Sequence, residues 1–200
     1  MTGPAPERPP GAPARVIVCG GRHFTGQAAW SLTIAVLAAI PADTVLVHGA
    51  CRTGLDEAAQ AYWAGQLGRA TEPHPADWPG PCHADCPPGH RRVGRAGVGY
   101  CPMAGFRRNQ AMADAGAAMC VAFPGGRGTA DMARRAKAAA IPVISAEDPT
   151  VRESLRDLLG LIDEPGFSCP RCAATSLHPE DLREGYCGRC HDFTGRARRG

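Results

Sequence analysis

Lysine is almost missing from this chain of 200 residues: Lys137 is the only one, so nearly all the basic charge is arginine. A G+C-rich coding sequence, which also inflates Ala, Gly and Pro, accounts for most of those arginines; selection for bidentate phosphate contacts is the competing explanation. The net charge of +3 is too small to demand nucleic acid as a partner. Aromatic residues make up only 6%, so the core must be built mostly from Ala, Val, Leu and Ile. The same scarcity removes the aromatic interleaving that single-strand platforms show. No run approaches the ~20 apolar residues of a membrane helix, and the start of the sequence lacks a charged-then-apolar signal pattern. A cytoplasmic protein without a membrane partner is expected.

Cysteine, by contrast, is abundant. The ten cysteines fall largely into tight groups, which in a chain without a secretion signal favours metal ligation over disulfides. Cys169-Pro-Arg-Cys172 and Cys187-Gly-Arg-Cys190 are paired knuckles that place four thiolates around a zinc ion, in a stretch with too little apolar mass to fold unaided. A redox dithiol or an iron–sulfur cluster are the alternatives. A second group, Cys82, Cys86, His90 and Cys101, with His83 spare, is expected to close another structural zinc site; without metal this long insertion would be a mobile lid. One or two zinc ions are therefore expected. Cys19 and Cys120 lie in apolar strand-like runs and read as small buried hydrophobes. Arg171, Arg189, Arg196, Arg198 and Arg199 could touch nucleic acid or form a solvated face.

The chain alternates short apolar runs with helical patterns. Arg15–Arg22 is a strand ending in a glycine pair, and Thr25 is placed to cap a helix that stops at Pro41. Thr44–His48 is a second strand, emptying into a glycine loop before a helix from Leu55 to about Leu67. Residues 70–75 form a short third strand, and 104–116 a helix. Met119–Phe123 leads into Pro-Gly-Gly-Arg-Gly-Thr and a helix from Thr129, followed by a last strand at 141–144. The fold class this predicts is α/β: a Rossmann-like parallel sheet with helices on both faces, plus a small C-terminal zinc ribbon. The expected boundaries are a disordered tail at 1–13, the α/β domain at 14–148 with a Cys/His insertion at 79–103, an amphipathic helix and linker at 149–165, and the ribbon at 166–200. All the glycine loops fall at the carboxyl edge of the sheet, where ligands collect.

The loop at Pro124 is a candidate phosphate cradle. The amides of Gly125, Gly126, Gly128 and Thr129, with the Thr129 hydroxyl, sit where a strand gives way to a helix start, and its order is neither GxGxxG nor the Walker pattern. Arg108 and Arg22 could clamp phosphate oxygens. Asp56 reads either as an acceptor for a ribose hydroxyl or as a carboxylate complementing its helix dipole. His48 reads either as a ligand contact or as a strand-end residue satisfied internally. Arg134 and Arg135 are expected on a solvated helix face, and Arg127 at the loop tip.

Gly20-Gly21-Arg22, the His48-Gly49-x-x-x-x-Gly54-x-Asp56 stretch, Arg108-Asn109 and Pro124-Gly-Gly-x-Gly-Thr129, taken in that order between about Arg15 and Ile144, resemble the SLOG superfamily, specifically its YspA-like branch. The resemblance implies a domain that senses a nucleotide or nucleotide-derived small molecule, and a homo-dimer. The superfamily includes the lonely-guy phosphoribohydrolases, whose motif is Pro-Gly-Gly-x-Gly-Thr-x-x-Glu. Arg108 looks like their catalytic arginine, but Met132 stands at the position of the catalytic glutamate. A thioether cannot stabilise a ribosyl cation or position water. Asp131, one residue early, points about 100° away around the helix. Enzyme activity therefore stays open, with phosphoribohydrolase chemistry as the alternative reading. A nucleic-acid-binding role is a further alternative, because related domains in DNA-uptake proteins bind single strands.

Overall fold

The structure is a computed structural model that describes residues 13–94, 97–151, 155, 167–172, 175–176 and 184–194. The chain divides into two compact units, Met1–Gly160 and Leu161–Gly200. The expected tail, apart from Pro13, and most of the expected amphipathic helix and linker lie outside the described residues.

In chain order the first unit contains β1 (Arg15–Cys19), α1 (Gln27–Leu37), β2 (Val45–His48), α2 (Leu55–Gln60), β3 (Thr71–Pro73), β4 (Arg92–Val93), β5 (Gly99–Tyr100), α3 (Ala104–Asp114), β6 (Met119–Ala122), α4 (Arg127–Ala138) and β7 (Val143–Ser145). Five strands form one sheet in the order β3-β2-β1-β6-β7, and every pairing is parallel. Strands β2 and β3 extend the sheet to one side of β1, whereas β6 and β7 extend it to the other. The order therefore reverses between β1 and β6, and a crevice opens beyond their carboxyl ends.

Alternation along β1 separates two cores. Val16 and Val18 pack on one face with Val36 and Leu37 of α1, Leu55 of α2 and Trp63. Ile17 and Cys19 point to the other, against Met112 of α3 and Met132 and Ala136 of α4. Helices thus cover both faces, as the near-continuous apolar strands require. Val151 and Leu155, the leading apolar residues of the expected amphipathic helix, are buried in the first of these cores.

Several local expectations are corrected. Helix α1 starts after Gly26, which has φ 91° and supplies no side-chain cap, so Thr25 does not cap it. The expected helix from Leu55 to Leu67 is α-helical only to Gln60 and continues as a π-helix, Ala61–Gln66, with Trp63 buried in the core and Tyr62 packed against it. Trp63 is sealed there by a bond from its Nε1 to the Ala70 carbonyl (2.9 Å), with Arg69 stacked 4.6 Å from its ring centroid. Helix α4 begins at Arg127, two residues before Thr129. The last strand is shifted to Val143–Ser145. The insertion is not devoid of regular structure, because β4 and β5 pair antiparallel within it.

The second unit contains two antiparallel pairs, β8 (Phe167–Ser168) with β9 (Thr175–Ser176) and β10 (Tyr186–Cys187) with β11 (Asp192–Phe193). Cys169 and Cys187 are buried, and the rings of Tyr186 and Phe193 lie 5.1 Å apart. Among the described residues no helix is long and apolar enough to cross a membrane.

Candidate functional site

Three glycine loops meet at the sheet reversal. The Gly21 amide donates to the Pro124 carbonyl (2.9 Å), and the Gly21 carbonyl accepts from Leu55 at the start of α2 (3.3 Å). Only glycine fits at position 54, with φ 75°, because a Cβ there would lie 2.2 Å from the Gly21 oxygen. Between the loops lies a cavity of about 570 Å³.

Every residue singled out from the sequence for ligand contact lines this cavity except His48: Gly20, Gly21, Arg22, Gly49, Asp56, Arg108, Asn109, Gly125, Gly126, Gly128 and Thr129. His48 instead braces the wall. Its Nδ1 accepts from the Ala50 amide (3.2 Å), which leaves Nε2 to donate to Gln60 Oε1 (2.8 Å). Ala50 has φ 54°, a conformation costly for a residue with a Cβ, and the His48 contact helps to hold it. Asp56 acts on the same loop, since its Oδ2 accepts the Cys51 amide (3.0 Å).

Burial, the largest cause, pushes the His48 pKa below its ordinary 6.5. As pH falls, the unfolded chain therefore takes up this proton before the folded one does. The resulting stability is complete above about pH 6.5 and is lost progressively below it. The thermal midpoint is expected to drop between about pH 7.5 and about pH 5.5, and His48→Gln to flatten that slope while lowering the midpoint at the higher pH. A slope unchanged in the variant would assign the effect to other groups.

Arg108 enters the cavity from α3 and is largely buried, which lowers its pKa. Its Nε donates to Asn109 Oδ1 (3.0 Å) and its Nη1 to the His74 carbonyl (3.2 Å). The guanidinium lies so close to Gly49 that a Cβ there would sit 1.7 Å from Nη1, so this glycine is a requirement of the arginine's position. Asn109 in turn donates to the Gly128 carbonyl (3.1 Å) and to Asp131 Oδ2 (3.0 Å), joining α3 to the first turn of α4. Arg22 and Arg127 are exposed at the rim.

Helix α4 starts with unpaired donors. Its N-cap is Gly126, with no side-chain cap and no acidic residue in the first turn, and the first helical bond runs from Ala130 N to Gly126 O. The amides of Arg127, Gly128 and Thr129 therefore precede the helical ladder, at the positive end of the macrodipole. Nothing would meet a Cβ at Gly126 or Gly128 within 4 Å, so this edge is open. The Thr129 hydroxyl is buried beneath Gly125, with no partner among the described residues.

The floor is apolar and sulfur-rich: Val18, Cys19, Met112 and Met132. Contact with Cys120 and then burial push the Cys19 thiol well above its ordinary value, so it stays neutral. Met132 faces the cavity, whereas Asp131 turns away and accepts from Arg134 and from Arg135 Nε (2.8 Å). Burial would raise the Asp131 pKa, but Arg135 and Asn109 hold it below the usual carboxylate value. Arg134 is exposed as expected; Arg135, at 20% exposure, is part of this packed network rather than a solvated face. Sequence reasoning passed over Met112 and Phe24 as cavity residues. Met112 follows Arg108 by one helical turn, a spacing that puts both on one face.

Two side-chain clusters could hold metal ions. The ligand atoms of Cys82, Cys86, His90 and Cys101 lie within 4.8 Å of one another, as do those of Cys169, Cys172, Cys187 and Cys190; His83 belongs to neither. A tetrahedral ion with bonds of ~2.3 Å to sulfur needs edges of about 3.8 Å. The Cys86–Cys101 and Cys169–Cys190 sulfurs are 3.8 Å apart, and the Cys172–Cys187 sulfurs 3.6 Å. None of the ten cysteines is in a disulfide. His90 Nδ1 contacts the Pro87 carbonyl (2.6 Å), which presents Nε2 to the cluster, 3.1 Å from Cys101 Sγ. Of the arginines considered for nucleic acid, Arg171 pairs with Asp192 (3.3 Å) and Arg189 is exposed; Arg196, Arg198 and Arg199 lie outside the described residues.

Fold and site together define a Rossmann-like α/β domain with an arginine-bearing crevice at its topological switch point. Residues 14–79 match the model of the YspA, cpYpsA-related SLOG family, so the YspA-like recognition holds on that segment. The Arg108-Asn109 and Pro124–Thr129 elements lie beyond the matched residues. No curated protein and no solved structure is significantly similar to the chain.

Proposed function

We propose that the first unit binds a nucleotide or nucleotide-derived phosphate and serves as a sensor module. The observation that carries this reading is the start of α4: three helix-terminal amides without helical partners, open to a cavity into which Arg108 is held by buried contacts. Such a terminus favours an anion without further machinery. In this reading the amides of Gly125, Gly126, Gly128 and Thr129 cradle a phosphate, and Arg108 meets it from within while Arg22 and Arg127 meet it from the rim. Asp56, with one oxygen engaged by Cys51, offers the other to a ribose hydroxyl. The thioether of Met132 at the position of the catalytic glutamate speaks against hydrolysis of the phosphoribohydrolase type, with Asp56 at another loop the carboxylate left to serve as a base. Both metal clusters take zinc: four thiolates in the second unit, three thiolates and an imidazole in the insertion. Ten cysteines, none of them in a disulfide, suit a reducing, cytoplasmic setting.

The test is a thermal-shift panel of nucleoside monophosphates, with the same mixtures assayed for released base. A true binder at a hundredfold excess over Kd adds ~2.7 kcal/mol of stability. Arg108→Ala removes charge-assisted bonds worth ~1.5–3 kcal/mol, so affinity is expected to fall about 10- to 100-fold with the fold intact. Stabilisation undiminished in Arg108→Ala would overturn the assignment of the site, and accumulating free base would overturn the sensor in favour of the hydrolase.

A further inference from the structure

Helix α3 touches both the insertion cluster and the cavity. Arg107 donates through Nη1 to Cys86 Sγ (3.1 Å) and through Nη2 to Cys101 Sγ (3.3 Å). The next residue, Arg108, lines the cavity, and the one after it, Asn109, holds the Gly128 carbonyl at the start of α4. Successive helical residues project about 100° apart, so one rigid element serves both sites.

The insertion also anchors the helix's first turn. The Cys101 carbonyl accepts the Ala104 amide (3.1 Å), and the Cys101 amide donates to the Trp78 carbonyl (2.9 Å). Trp78 packs on Gly105 so tightly that a Cβ there would lie 2.9 Å from its ring. Charge completes the pattern. Three thiolates and a neutral imidazole around a dication leave one net negative charge, and Arg107 brings one positive charge to two of the three sulfurs. An arginine so placed has little purpose beside three neutral thiols.

Resting on the anion-binding reading of the cavity, we propose that metal occupancy of the Cys82, Cys86, His90, Cys101 cluster and anion occupancy of the cavity are linked through α3, each raising the affinity of the other. Metal fixes Cys101 and Arg107, and with them the turn that presents Arg108. An anion bonded to Arg108 stabilises the same turn in place, and so favours the assembled ligands. Linkage of this kind must be reciprocal.

The experiment uses the full chain, with zinc and inorganic phosphate as probes. Zinc sites are resolved by competition with a chromophoric chelator, and the insertion site is assigned as the one lost in Cys82→Ser. Phosphate is expected to tighten zinc at that site by about tenfold in the unaltered protein and to leave the other zinc unchanged, within the usual range of coupling between sites. Phosphate affinity, followed by phosphorus resonance, should weaken by the same factor when the insertion zinc is withdrawn. Arg107→Ala, with all four ligands intact, should lower the coupling, and Arg107→Lys should restore part of it. Equal phosphate affinity with and without the insertion zinc would sink the linkage while leaving the cradle standing. No phosphate binding by the zinc-loaded protein would sink the cradle and the linkage together. Once the site is assigned, the reciprocal measurement is made on the unaltered chain, so an Arg107 variant that fails to fold does not shield the idea.

Discussion

Gly128→Asp is expected to abolish phosphate binding in a domain that is as stable as the original or slightly more so. Position 128 lies in the first turn of α4, has no neighbour within 4 Å of a Cβ, and carries no positive φ. Loss of a helical glycine and gain of an acid at the helix N-terminus each favour folding by up to ~1 kcal/mol. The same carboxylate would stand where the anion sits. Two charges of like sign about 4 Å apart repel by ~4 kcal/mol at the effective dielectric of a surface cleft, roughly a thousandfold in affinity. Thermal denaturation and calorimetric titration read the two effects separately. Raised or unchanged stability with phosphate affinity retained would remove the anion from this turn, and no misfolding could be invoked to rescue it.

Withdrawing metal from the second unit is expected to unfold that unit and leave the α/β sheet in place. Among its described apolar contacts is the Tyr186–Phe193 ring pair, and Phe193 is 53% exposed. Structural zinc contributes ~10–16 kcal/mol in comparable small modules, far more than such contacts supply. Cys187→Ser takes one of the four sulfurs from Cys169, Cys172, Cys187 and Cys190, so it should collapse the amide dispersion of residues 167–172 and 184–194 while the first unit keeps its signals. A chelated protein whose second unit stays dispersed would show that the cluster is not the scaffold.

The sheet was legible because its strands are short apolar runs joined by loops whose glycines have visible work. Both cysteine groups were legible for a related reason: ligand chemistry restricts residue type more tightly than packing does, and the ligand atoms of each group lie within 4.8 Å of one another. The course of α2 was not. Nothing in Ala61–Gln66 distinguishes a π-turn from an α-turn when the same aromatic residues would face the core in either. Within the site, residue type pointed to glycines and arginines, yet it could not tell contact from support. His48 and Asp56 each read in the sequence either as a ligand contact or as internal support; in the fold one ring is spent on Ala50 and Gln60, and one carboxylate oxygen on Cys51. Asn109 read as a companion to Arg108, and its tie to the Gly128 carbonyl appears only when α3 and α4 are side by side.

The bond from Gly21 to Pro124 has a thermodynamic corollary. With the first and third loops fastened backbone to backbone, and the second fastened to Gly21 through Leu55, the mouth of the crevice is set before any guest arrives. Little ordering of main chain remains to be done on entry, so a guest forfeits little affinity to entropy. Selectivity must then come from shape and charge matching, and the adaptable parts are the side chains at the rim, Arg22 and Arg127, rather than the walls.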